Sequence, residues 1–260
     1  MYLFLIALAA LISSLLTFFS GFGLGTLLSP VFVLFFPVQL AIASTAIVHF
    51  INNCFKLALM YKHISWPIFI RFSIPAALSA TGGAYLLVFL GALPPVFEYT
   101  VYTNTFTVSP IKLVVGVIFI VFSFSELSKK LKGLEISKKY LSLGGLVSGF
   151  FGGLSGNQGA FRAAFLLKCG LDKKQFVATG IISSCVVDVV RLSIYFYFLS
   201  ELTFTFSDNL KVAIAVATVS AFVGALIGRY FLEKVTMRGI QLFVSLLMLF
   251  VGILLTTGIL

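Results

Sequence analysis

Six stretches of this chain (39–61, 66–90, 107–127, 175–199, 206–227 and 239–259) each run for more than 20 residues almost without charge. A helix rises 1.5 Å per residue, so each stretch is long enough to cross the hydrocarbon core of a bilayer, about 30 Å. Only a tenth of the 260 residues are charged, 60% are apolar, and the mean hydropathy is +1.14. A soluble domain carries roughly a quarter charged residues. Lipid must therefore be the main solvent, and an all-α polytopic membrane protein is expected. The net charge of +10 sits mostly in short loops. There it reads as a topology signal, and no nucleic-acid partner is expected.

Two further apolar stretches are broken. Residues 3–36 are interrupted by Ser20-Gly-Phe-Gly-Leu-Gly25 and stopped by Pro30 and Pro37. Residues 141–167 are interrupted by Gly152-Gly-Leu-Ser-Gly-Asn-Gln-Gly159, which leaves arms of about 12 residues, too short for two crossings. A broken or re-entrant hairpin fits this pattern.

The basic residues set the orientation. Lys62 and Arg71, the central run from Lys129 to Lys139, the group Lys168, Lys173 and Lys174, and Arg229, Lys234 and Arg238 mark cytoplasmic loops. The connections around Glu98 and Glu201 have no basic residue of their own and fall outside. The alternation puts both termini outside. It also returns 141–167 to the side it started from, as a hairpin must. The N-terminus lacks a basic lead-in, so a cleaved signal peptide is not expected.

The halves echo each other. Ser20-Gly21-Phe22 recurs as Ser148-Gly149-Phe150, Ala43-Ser44-Thr45 as Ala178-Thr179-Gly180, and Ile111-Lys112-Leu113 as Ile240-Gln241-Leu242. Asn53-x-x-Lys56-Leu57 recurs as Asp188-x-x-Arg191-Leu192. Each half is then one broken hairpin plus three spans. An odd number of crossings makes the repeats inverted. The expected division is an N-terminal repeat, 1–128, a basic cytoplasmic linker, 129–139, and a C-terminal inverted repeat, 140–260. Inverted repeats with broken helices are a recurrent plan of secondary transporters, with the substrate near the midplane. Gly21, Gly145, Gly224 and Gly228 read as close-packing positions, whereas the polar glycine run 152–159 reads as a cavity wall.

Three basic residues, Lys56, Arg162 and Arg191, fall inside apolar stretches, and Asp188 is the one acid read clearly within a span. Such charges cost about 3 kcal/mol each even on the lenient insertion scale, so they must face protein or water. Asp188 and Arg191, three apart, can pair. An interior left net positive favours an anion, and the free amides at half-helix N-termini add to that. The candidate substrate-binding residues are Arg162, Ser155, Gly156, Asn157, Gln158, Arg191, Lys56, Asn53, Ser44, Thr45 and Thr179. Asp188 and His49 are the candidates for coupling or gating, with protons as the candidate coupling ion. For Lys56, snorkelling to the cytoplasmic interface is the competing reading.

No P-loop ending follows the glycine run, and no triad or metal-ligand cluster is visible, so neither an enzyme nor a cofactor or metal is expected. Cys54, Cys169 and Cys185 lack ligand spacing and read as small buried apolar residues.

On the opening glycines ending at Pro30, the Ala43-Ser44-Thr45 step, the Ser148–Gly159 run and the Ala178-Thr179-Gly180 step, the whole chain resembles the TauE/SafE family of sulfite exporters. The resemblance implies a secondary transporter of the inner or plasma membrane for small sulfur-containing anions such as sulfite or organosulfonates. A passive anion channel and a non-transporting membrane scaffold subunit stay open as alternatives.

Overall fold

The computed structural model describes residues 1–20, 23–128, 136–201, 207–230 and 238–260. The N-terminal part comprises α1 (Tyr2–Ser20), α2 (Gly25–Val33), α3 (Val38–Met60), α4 (Trp66–Ala92), strands β1 (Phe97–Val101) and β2 (Asn104–Val108), and α5 (Pro110–Leu127). There follow α6 (Leu141–Ser155), α7 (Gly159–Leu166), α8 (Lys173–Glu201), α9 (Asp208–Tyr230) and α10 (Arg238–Thr256). Among the described residues, α3, α4, α5, α8 and α9 are long and apolar enough to cross a bilayer. The protein is a multi-pass helical membrane protein. Its faces agree: Leu78 and Val219 are well exposed, whereas His49, Asn52, Asp188 and Arg191 are buried. Apolar outside and polar within is the arrangement that lipid selects.

Both broken stretches form unequal arms. Helix α1 has 19 residues against 9 in α2, and α6 has 15 against 8 in α7. The expectation of two arms of about 12 residues in 141–167 is thus corrected. The glycine run sits off-centre, because 152–155 continue the helix and the chain turns only at Gly156. At 1.5 Å per residue, α7 reaches only about 12 Å.

Backbone contact drives the packing of α6. Gly145, Gly149 and Gly153 recur every four residues on one face. A Cβ at any of them would land on the carbonyl oxygen of Phe72, Ala76 or Ala80 in α4. Gly224 of α9 meets the Leu11 carbonyl of α1 in the same way. The packing reading of Gly145 and Gly224 stands, and Gly153 joins them; Gly21 lies outside the described residues. Helix α6 packs on α4 and α1 packs on α9, so the long arm of each hairpin leans on a helix from the other half of the chain. Helix α3 crosses α8, and α5 crosses α10.

One element was unforeseen. Residues 97–108, read as an external loop running into a span from Thr107, form an antiparallel hairpin pairing Phe97 with Val108 and Val101 with Asn104. The signal was present: aromatic and β-branched residues flank a two-residue connection, in which Tyr102 takes φ 56°. Tyr99 Oη anchors the hairpin by donating to the Thr257 carbonyl at 2.5 Å.

Candidate functional site

The two chain breaks meet. Helix α6 ends on Gly156, whose φ of +80° is a left-handed cap favouring glycine, and its N–H donates to the Gly152 carbonyl at 3.1 Å. A Cβ on Gly25 would fall 2.9 Å from the Gly156 carbonyl oxygen. One on Gly23 would lie 3.9 Å from both the Gly159 nitrogen and His49 Nε2. Neither α2 nor α7 has a side-chain cap at its start, so both N-termini offer unspent partial positive charge.

Beside this junction lies a cavity of about 30 Å³, the volume of about one water. Its walls include Gly23, His49, Asn53, Lys56, Arg162 and Ser184, with Phe176, Val177 and Ile181 closing the apolar side. Two basic residues and a histidine face it, and no carboxylate is in the wall among the described residues.

The carboxylate stands one layer back. Asp188 is fully buried. One of its oxygens accepts from Arg191 Nε at 3.0 Å and from an Arg191 terminal nitrogen at 2.7 Å, the pairing expected from their spacing. The other oxygen lies 2.6 Å from His49 Nδ1, across the α3–α8 crossing. That contact fixes the proton on Nδ1 and leaves Nε2 on the Gly23 side as acceptor, or as donor when the ring is charged. Asn53 Nδ2 stands 3.3 Å from the ring nitrogens. Arg191 also donates to the Gly152 carbonyl at 3.2 Å, and Tyr195 Oη donates to the Gly153 carbonyl. The pair thus stoppers the carbonyl end of α6, where positive charge is favourable. Arg191 is spent on structure and is not among the wall residues.

Arg162 donates to Ser184 Oγ and lies against Gly180. Lys56 is buried and donates to the Ser14 carbonyl of α1 at 3.1 Å, so it points into the protein and does not snorkel.

The family model for Sulfite exporter TauE/SafE matches residues 5–255. The chain belongs to the TauE/SafE family. No curated protein and no solved structure matches it. Membership in TauE/SafE implies membrane transport of the sulfite or anion exporter type.

Ser44, Thr45, Ser155, Gly156, Asn157, Gln158 and Thr179, also expected at the site, are not among the wall residues of this cavity. Ser155 Oγ donates back to the Phe151 carbonyl at 3.1 Å, and Thr179 Oγ1 accepts from the Ser65 N–H at 3.0 Å. The first bond is local to α6, and the second ties α8 to the start of α4. Ser44 Oγ, Thr45 Oγ1, both side-chain polar atoms of Asn157 and Gln158 Nε2 are buried without a hydrogen-bond partner among the described residues. Buried polar atoms are rarely left so, and these hold unused capacity close in sequence to the break and to His49.

Ser184 carries no local mark of a site residue in the sequence. The match of Asn53 to Asp188 puts Ser184 at the position equivalent to His49, and it holds Arg162. Glu126 is a correction: it is buried in the last turn of α5, so Asp188 is not alone among acids within spans. Position near the helix end made it look like a loop residue. Cys54 is a second correction, being exposed on α3 while Cys169 and Cys185 are buried.

Proposed function

We propose that the protein is a secondary transporter that exports small sulfur-containing anions such as sulfite or organosulfonates by alternating access. The observation that carries this reading is the cavity beside the meeting of the two breaks, walled by Lys56, Arg162 and His49 with no carboxylate among the described residues. A desolvated cation pair attracts an anion far more strongly than water-exposed lysines do. The amide ends of α2 and α7 add partial positive charge without a mobile counter-ion. A cavity of about 30 Å³ must widen to take a sulfite. Arg162 releases Ser184 to hold an anion oxygen, and Asn157 and Gln158 supply further donors.

Exchange of contacts between halves, α6 on α4 and α1 on α9, supports the inverted-repeat reading with divisions at 128 and 140. The carboxylate–imidazole contact supports His49 as the group that holds a coupling proton, with Asp188 positioning it. We place the protein in the cell membrane with both termini extracytoplasmic.

The test is sulfite efflux from proteoliposomes. Arg162→Ala brings efflux to the protein-free background, and Arg162→Lys retains a measurable fraction because the charge survives without the guanidinium fork. Unchanged efflux in Arg162→Ala overturns the site.

A further inference from the structure

A second cavity, of about 240 Å³, lies at the end of the molecule that the charge map puts outside. It shares no wall residue with the first. Its walls are apolar on the side of Val33, Phe36, Leu255 and Leu260, and polar on the side of Gln39 and Lys112. Helices α3 and α5, 23 and 18 residues long, both begin here, and neither has a side-chain cap. Their first amides are therefore unspent, apart from Pro110, which has none.

A helix start alone is not a ligand site, but Gln39 supplies a separate indication. It is 8% exposed, and its Nε2 has no hydrogen-bond partner among the described residues. The amide is held over Gly91, another wall residue, so tightly that a Cβ there would overlap it. A buried amide nitrogen without an acceptor is destabilising, and the group that would satisfy it is an acceptor. Lys112 Nζ donates to the Thr107 carbonyl at 2.9 Å, which holds the ammonium at the rim and uses one of its three donors.

Helices α2, α4 and α10 end at the same cavity and bring roughly −0.5 charge each, and the starts of α3 and α5 offset two of the three. The Lys112 charge then decides the sign, and it is positive. A cavity of about 150 Å³ holds a benzene, so this one takes a somewhat larger body. We infer that this pocket binds a small amphiphilic monoanion, a carboxylate or sulfonate head on a hydrocarbon body of about four to six carbons. The head accepts from Gln39 Nε2, Lys112 Nζ and the α3 and α5 amides. The body lies on Val33, Phe36, Leu255 and Leu260. An anionic phospholipid carries the same chemistry, but its full acyl chain exceeds the cavity.

The probe is hexanoate, titrated calorimetrically against the whole protein in phosphatidylcholine nanodiscs. Hexanoate binds, and neutral hexanol binds at least about tenfold more weakly. Gln39→Glu, which keeps the shape and adds repulsion, and Lys112→Met each weaken hexanoate at least about tenfold. If Lys112→Met misfolds by thermal unfolding, Gln39→Glu decides. Arg162→Ala binds hexanoate as the parent does, so this pocket and the sulfite site fail separately. The inference is overturned by equal binding of hexanol, by unchanged binding in Gln39→Glu, by loss of binding in Arg162→Ala, or by displacement of hexanoate with phosphatidylglycerol.

Discussion

Replacing Asp188 by Asn changes one atom and strands a cation. The Asp188 carboxylate lies 2.7 Å from Arg191 and 2.6 Å from His49, and all three side chains are buried. At an effective dielectric of about 20, unit charges 2.7 Å apart attract by about 6 kcal/mol. The Asn oxygen still accepts from the guanidinium, which returns about 1 kcal/mol. Breaking a buried pair on one side costs about 3–5 kcal/mol in soluble proteins, and competing partners in the membrane-unfolded state trim this. An expected loss of about 2–4 kcal/mol follows. Removing the cation as well, in Asp188→Asn/Arg191→Met, takes away the stranded charge and recovers at least half of that loss. The assay is reversible unfolding in bicelles of the parent, both single variants and the double variant. A single-variant loss below about 0.5 kcal/mol, or additivity within about 0.5 kcal/mol, refutes the buried pair as the stopper of α6. Sulfite efflux in the double variant stays impaired, because His49 has lost the group that holds its proton.

Other expectations are simpler to check. Gly149→Val puts a side chain onto the Ala76 carbonyl and the Ser79 hydroxyl, and loss of a monodisperse peak in size-exclusion chromatography is expected. Gly156→Ala sits at φ +80° with its Cβ 2.8 Å from an Arg191 terminal nitrogen. Strain of about 1–2 kcal/mol is expected as a lower thermal midpoint, and an unchanged midpoint excludes the left-handed cap. The side chains of Cys54 and Cys185 come close enough to interact across the α3–α8 crossing. Cross-linking them with copper phenanthroline is expected to slow sulfite efflux, reversibly by dithiothreitol, and Cys54→Ser is expected to be immune. Persistence of full efflux in the cross-linked protein means that α3 and α8 do not move apart during transport.

Much of this was legible before any coordinates. Helix α3 begins at Val38 and α4 at Trp66, within a residue of the boundaries expected from Pro37 and Trp66. Apolar run length is a strong signal when lipid is the solvent, and the Asp188–Arg191 pair followed from helical spacing alone. His49 on Asp188 was not legible, because a contact 139 residues apart depends on how two repeats cross. A histidine on an apolar helix carries no local mark of its partner. Arg191 was expected at the substrate and instead holds the end of α6, since sequence shows that a charge is buried but not which lone pair it serves. The hairpin at 97–108 leaves no mark in a hydropathy profile, which averages out a period of two.

The crossed packing of the hairpin arms has a consequence for synthesis. Helix α1 leaves the ribosome well before its partner α9, which begins only at Asp208. At 5–20 residues per second that partner is roughly 10–40 s away. During that interval the Leu11 face of α1 has lipid or the insertion machinery for company, while Lys56 can already reach Ser14. The N-terminal half is thus membrane-inserted but unfinished until α9 is made. A truncation after α8 is expected to leave α1 unsheltered and open to degradation.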